Sequence, residues 1–216
     1  MSDPGGFRIL AVCSGNVCRS PLAELLLRDR LAARADLIVV SAGTIARPGD
    51  RMTEEMVAVA ASRGVAEASA RAHGAQRLDE SLVAGAGLVL GLTREHRAAA
   101  VQLHPRAVRR AFTLRELARL AQGLPAEAVA TLTPAELVAG LVEQRGGAQP
   151  VAADADGIAD PIGRPYEVYE RVGTQIAAAV DIVARVLCAT RIVPAGASPA
   201  AAANHGPDLS FSFRRA

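Results

Sequence analysis

The sequence contains no lysine, and all 24 basic residues in the 216-residue chain are arginine. That absence excludes a Walker-type phosphate loop with its lysine, a Schiff-base lysine and an anchor for pyridoxal phosphate. Tryptophan is also missing, and two Tyr and four Phe bring the aromatic content to only 3%. With a net charge of +2 and arginines scattered among Asp and Glu, the chain has neither a basic stripe nor the ring surface that proteins use to grip nucleic acid. Three cysteines are too few for a disulfide framework. They suit a reducing cytoplasm and a thiol with a chemical task. Residues Met1 to Gly6 lack the basic flank and apolar core of a signal peptide. The longest apolar stretch, Leu82 to Leu92, is about half a membrane span, and the apolar C-terminal segment is broken by Asp181 and Arg185, so no membrane insertion is expected. His73, His96, His104 and His205 have no ligand-like spacing. Neither a metal nor another cofactor is implied.

Half of the residues are hydrophobic, and a chain of this length buries about 70% of its unfolded surface without metals or disulfides. One globular domain over residues 1–190 with a tail over 191–216 is expected. Apolar runs alternate with helical patterns, which predicts an α/β fold: a doubly wound, four-stranded parallel sheet flanked by helices. Phe7 to Val12 reads as a buried first strand, followed by a polar loop and by Ser20-Pro21, where Ser caps and Pro opens a helix carrying Leu22, Leu25 and Leu26 inward. Further strands are predicted at Asp36 to Val40, Gly87 to Leu92 and, more weakly, Val108 to Phe112. Helices are predicted at Glu54 to Arg63, around Ala98 to Ala100, and from Leu114 to Leu120. Residues 123–155, rich in Ala, Pro and Gly, read as an insertion over the sheet edge or a mobile cover, with one helix near Pro134 to Gln144. The last helix starts near Tyr166 and repeats Val168, Val172, Ile176, Ala179, Val183 and Leu187 at helical spacing. The tail, ending Phe211-Ser212-Phe213-Arg214-Arg215, reads as disordered.

The chemistry concentrates in Cys13-Ser14-Gly15-Asn16-Val17-Cys18-Arg19-Ser20. A cysteine and an arginine six positions apart are commonplace in so arginine-rich a chain. Their place between a strand and a helix start is not, because backbone amides there can wrap an anion at the positive end of a helix dipole. Cys13 would act as a thiolate favoured by those amides and by Arg19. The planar fork of Arg19 can hold two phosphate oxygens, and more tightly as they gain charge. Ser20 can donate to the thiolate, while Gly15 and Asn16 tolerate the positive φ of a tight cradle. A thiolate with an oxyanion clamp is equipped to displace an ester from phosphorus through a phosphocysteine.

The segment Val12 to Pro21 resembles the signature of the low-molecular-weight protein tyrosine phosphatases. The likeness continues in Ser41-Ala42-Gly43-Thr44, in His73, in Phe112-Thr113-Leu114-Arg115-Glu116 and in Asp160-Pro161, and covers residues 7 to about 188. It implies a phosphatase acting on phosphorylated protein, with Cys13 as nucleophile, Arg19 as clamp and Asp160 as general acid. A leaving phenolate needs such an acid, and the same carboxylate can then deprotonate the hydrolytic water. Asp154 and Asp156 lie nearby as ordinary acidic loop residues. The resemblance further implies a supporting network of Asn16, Ser41 and His73, and a cradle formed by Ser14, Gly15, Asn16, Val17, Cys18 and Ser20. Two wall positions depart from it: Ile162 and Arg47 stand where aromatic residues are common, and Arg47 suits an acidic substrate flank. The turn after Asp160 and the stretch from Phe112 also resemble the bacterial protein-arginine phosphatases. That branch has Thr where this chain has Val17, which offers a guanidinium less polar accommodation and ranks phosphotyrosine first. Thiol-linked arsenate reductases share the cradle, but Cys188, the only distal cysteine, reads as core packing. Cys18 could trap oxidised Cys13 as a disulfide or simply fill the loop's underside. A phosphate-binding module without turnover is the remaining alternative.

Overall fold

The computed structural model describes residues 6–147, 151–152 and 155–193. The expected tail beyond Val193 and Asp154 lie outside the described residues. Four parallel strands form one sheet in the order β2-β1-β3-β4, namely β1 (Phe7–Cys13), β2 (Leu37–Gly43), β3 (Leu88–Gly91) and β4 (Ala111–Thr113). β1 runs in register with β2 from Phe7 opposite Leu37 to Cys13 opposite Gly43, and with β3 from Ile9 opposite Leu88 to Val12 opposite Gly91. The sheet therefore reverses its direction of growth at β1, and the C-terminal end of that strand is the crevice where such folds bind ligands.

Alternate residues of β1 serve two cores, as the strand period demands. Ile9 and Ala11 join Leu88, Leu90 and Phe112 beneath α1 (Arg19–Arg30), α6 (Leu114–Ala121) and α9 (Tyr166–Ala189). Leu10 and Val12 join Val89 and Ala111 on the other face with Val83 of α4 (Glu80–Ala84) and Ala100 of α5 (Arg94–Leu103). Burial on both faces explains the unbroken apolar run of the first strand. α2 (Glu54–Ala61) is capped by Thr53, and α3 (Glu67–Ala72) follows it.

Several boundaries differ from the sequence expectation. The first helix begins at Arg19 with Cys18 at its cap position and no side-chain cap, because the Ser20 hydroxyl is turned to Cys13 instead. The fourth strand starts only at Ala111: Pro105–Arg109 forms a 3₁₀ turn, and Val108 is half exposed. Residues 123–155 are not a loose cover. α7 (Ala126–Ala130) and α8 (Pro134–Gly147) place Val129, Leu137, Val138 and Leu141 in the main core. Arg145 from α8 stacks over Phe112 at 4.5 Å and donates to the Ala111 carbonyl, so the helix does lie over the sheet edge. In α9 the inward stripe is as expected from Val172 to Leu187, but Val168 is only half buried and Cys188 is exposed, its thiol 3.6 Å from the Arg30 carbonyl. The helix pattern had placed Cys188 inward; Leu187 occupies the core and Cys188 falls on the next position around the helix. Among the described residues α9 is the one helix long and apolar enough to span a bilayer, and half of its most apolar window is buried in protein.

Candidate active site

The loop between β1 and α1 wraps back on the strand it leaves. Asn16 sits at φ 55, the only described non-glycine residue with positive φ, and its amide donates to the Cys13 sulfur at 3.3 Å. Gly15 was expected to share this conformation and does not. Ser20 Oγ lies 3.0 Å from the same sulfur. Ser20 Oγ also accepts from Asn16 Nδ2 at 2.9 Å, and its own proton has the nearby sulfur and, at 3.4 Å, the Ala42 carbonyl to point at.

Asn16 ties this loop to two distant segments. Its Nδ2 donates to Ser41 Oγ at 2.8 Å, its Oδ1 accepts from the Gln76 amide at 2.7 Å, and its carbonyl accepts from His73 Nε2 at 2.8 Å. Ser41 passes its proton on to Glu24, whose other oxygen pairs with Arg28 at 2.6 Å. Ser41 and His73 thus both bond to Asn16. Glu24, buried in a leucine-rich helix, was missed although a charge between Ala23 and Leu25 is itself a signal. Gly43, opposite Cys13 in the sheet, permits the contact between strand and loop. A β-carbon there would collide with the Ser14 carbonyl and come within 2.8 Å of the Asn16 amide.

Arg19 is 4% exposed and reaches across the site. Its Nη2 contacts Asp160 Oδ2 at 2.5 Å and Ser14 Oγ at 3.4 Å, and its Nη1 donates to the Ile158 carbonyl at 3.1 Å. The buried Arg19 Nε has no hydrogen-bond partner among the described residues. Asp160 is 43% exposed and accepts from the Ile162 amide. The turn continues through Gly163 at φ 71, with the Arg164 amide on the Pro161 carbonyl. Asp160, 141 residues further along the chain, thus meets the arginine of the cradle.

His96 is a further member that the sequence reading did not find. Its Nε2 lies 2.9 Å from Ser14 Oγ and its Nδ1 3.0 Å from Oγ1 of Thr93, the cap of α5. Burial, reinforced by the nearby Arg19 charge, lowers its pKa to about 4. An isolated histidine on a short helix carries no sequence signal of this kind.

The remaining predicted residues divide. Val17 is half buried against the core. Cys18 is buried on the loop's underside beside Thr53, 3.3 Å away, and burial pushes its thiol up to about 12. Arg47 is exposed on the loop whose Thr44 and Ile45 amides bond to the Cys13 and Ser14 carbonyls. Ile162 is half exposed on the Asp160 side, and Ile45, at 69% exposure, faces solvent on the Ser41 side. Cys188 ends α9, while Asp160 precedes its start. Twenty-two residues of helix put Cys188 roughly 33 Å along the axis from Tyr166, where α9 begins.

A family model described as low molecular weight phosphotyrosine protein phosphatase matches residues 8–124. A protein-arginine-phosphatase of Geobacillus stearothermophilus is 29% identical over 181 residues, 84% of this chain and 96% of that protein. A probable low molecular weight protein-tyrosine-phosphatase, EpsP, of Ralstonia nicotianae is 37% identical over 109 residues, 50% of this chain and 71% of that protein. Among solved structures, the YwlE arginine phosphatase from Geobacillus stearothermophilus superposes with a TM-score of 0.62 at 27% identity, covering 84% of this chain and 93% of its own. A low molecular weight protein tyrosine phosphatase from T. tengcongensis does so at 0.59 and 26% identity, covering 82% and 97%. By these matches and by the cradle after its first strand, the chain belongs to the low molecular weight phosphotyrosine protein phosphatase family.

Proposed function

We propose that the protein hydrolyses phosphotyrosine in proteins through a phosphocysteine on Cys13. The carrying observation is that Arg19 lies at once beside the cradle and on Asp160, with a buried Nε donor left over. A substrate phosphate that takes over the guanidinium releases Asp160, and both are then placed for one displacement. Cys13 Sγ attacks phosphorus, the bond to the phenolic oxygen breaks, and Asp160 delivers its proton to that oxygen. Asp160 next takes a proton from water, which attacks phosphorus and returns the thiolate with inorganic phosphate. Ser20 steadies the thiolate in both halves. The neutral Asn16 and Ser41 hold the loop in place without adding charge beside the dianion.

Phosphotyrosine is favoured by the walls. Val17 is apolar, and Ile45 and Ile162 present aliphatic surface on opposite sides of the site, which suits an aryl ring better than a guanidinium. Arg47 suits an acidic flank. The second reading, phosphoarginine, draws on the Geobacillus stearothermophilus relative named an arginine phosphatase, matched over 96% of its length, and on the solved arginine phosphatase from that organism. Three free thiols fit action in the cytoplasm. Phosphotyrosine and phosphoarginine peptides assayed side by side decide between the two: a higher kcat/KM on phosphotyrosine is expected, and the reverse order overturns the assignment. Release of no phosphate from either by a protein that binds phosphate normally would leave a binding module.

A further inference from the structure

We propose that Asp156 is a positioning residue for the general acid, clamped between Arg94 and Arg119 so that the chain it belongs to presents Asp160 to the leaving group. This rests on the reading of Asp160 as the acid. Among the described residues Asp160 itself is held by two direct bonds, from Arg19 and from the Ile162 amide. The first is the one that substrate takes over. During turnover its place must therefore be fixed by the residues that lead up to it.

Those residues are anchored by arginines from both faces of the sheet. Asp156 Oδ2 lies 3.4 Å from Arg94 Nη2 at the start of α5 and 3.3 Å from Arg119 Nη2 on α6. Arg94 Nη2 also reaches the carbonyls of Val151 and Ala152 at 3.3 and 3.4 Å, and Arg115 Nη1 donates to the Gly157 carbonyl at 3.1 Å. The next residue, Ile158, is fully buried and bonds through its amide to Leu92 at the end of β3 at 2.8 Å. Two residues further on stands Asp160.

Asp156 differs from an ordinary solvated acidic residue, for its side chain is only 6% exposed. A carboxylate so buried is costly unless paired, so the loop is held where both guanidinium groups can reach it. Packing anchors Ile158 but leaves the stretch at Asp156 open on one side. A cavity of about 410 Å³, lined by Arg115, Arg119, Asp156 and Ile182 among others, lies directly against the clamp. Without its ion pairs the loop has room to move, and a displacement of about 1 Å can cost on the order of a hundredfold in rate.

The test is leaving-group dependence. kcat/KM is measured for p-nitrophenyl phosphate and phenyl phosphate with the wild-type chain, Asp156→Ala and Asp160→Asn, alongside inhibition by vanadate. A placed acid matters little for the good leaving group and much for the poor one. Asp156→Ala is expected to lower the phenyl phosphate value about tenfold more than the p-nitrophenyl phosphate value, with vanadate inhibition unchanged within about twofold. An equal loss on both substrates, or no loss, overturns the clamp. Should Asp156→Ala fail to fold, Arg94→Ala and Arg119→Ala, whose side chains are 39% exposed, carry the same expectation and the same refutation. Asp160→Asn separates the two readings: if it shows no selective loss on phenyl phosphate, the acid assignment fails, whereas a selective loss there without one in Asp156→Ala removes only the clamp.

Discussion

The two sides of the site are held in different ways. On the nucleophile side, Asn16, Ser20 and Ser41 are buried, neutral and joined by hydrogen bonds of 2.8 to 2.9 Å that do not depend on ionic strength. On the acid side, the chain leading to Asp160 hangs from the guanidinium groups of Arg94, Arg115 and Arg119, two of them 39% exposed. The difference follows from what each side must do. The cradle has to present one fixed geometry to a dianion and gains nothing from nearby charges that would compete for it. In the proposed mechanism the acid leaves Arg19 and meets an oxygen, so its support must survive the loss of one contact.

Removing the nucleophile is the largest test of this contrast. Cys13→Ser is expected to lower turnover of p-nitrophenyl phosphate by on the order of 10⁴-fold or more, with phosphate binding retained; residual activity near wild type would remove Cys13 from the mechanism. Asp160→Asn is smaller, about a hundredfold or more on phenyl phosphate. A comparable loss of phosphate affinity would show instead that Asp160 serves mainly to hold Arg19.

The cradle's own support is probed by Asn16→Ala. It removes three side-chain hydrogen bonds and places Ala at φ 55. Stability should fall by about 2 to 3 kcal/mol, read as a lowered denaturation midpoint, together with kcat. An unchanged midpoint would mean that the loop is held by something other than this network.

The pH dependence of stability tests His96. Unfolded, its ring takes a proton near 6.5, and folded only near 4, so the unfolded chain binds more protons between these values. Its contribution is complete above about pH 6.5 and lost as the pH falls toward 4, on the order of 3 kcal/mol in all. His96→Gln should flatten that part of the stability profile, and an unaltered profile would place the loss elsewhere. The smallest effect is expected from Cys188→Ser. Exposed and far along α9, Cys188 has no route to Cys13, so phosphatase turnover should stay within about twofold. An arsenate reductase activity that vanished in this variant would revive the reading as a thiol-linked arsenate reductase.

Much of this was legible beforehand, for specific reasons. β1 and α9 carry continuous or strictly periodic apolar residues, so both were found close to their true limits. The short helices α3 and α4 bury only Ala70 and Val83 and leave no period to read. Val108 looked like strand material, yet Pro105 and the arginines around it form a turn, and only Ala111 onward is paired. Cys13 and Arg19 stood out by their place between a strand and a helix start, and Asp160 through the resemblance to the phosphatase family. Their partners Glu24 and His96 did not, because each acts through a contact with a residue distant in the sequence. The acidic residue passed over beside Asp160 was judged by composition, and burial reverses that judgement for Asp156.

The missing β-carbon at Gly43 has a consequence for how the chain becomes active during folding. The loop can close only after β2 has docked beside β1, and its bonds then run from Asn16 to Ser41, His73 and Gln76. These contacts are non-local, and contacts of that kind form late. A nascent or partly unfolded chain therefore carries Cys13 without its cradle, and the site is complete only with the assembled sheet. Phosphate release is thus also a clock for folding: its onset after dilution from denaturant marks the moment when strands separated by dozens of residues have come together.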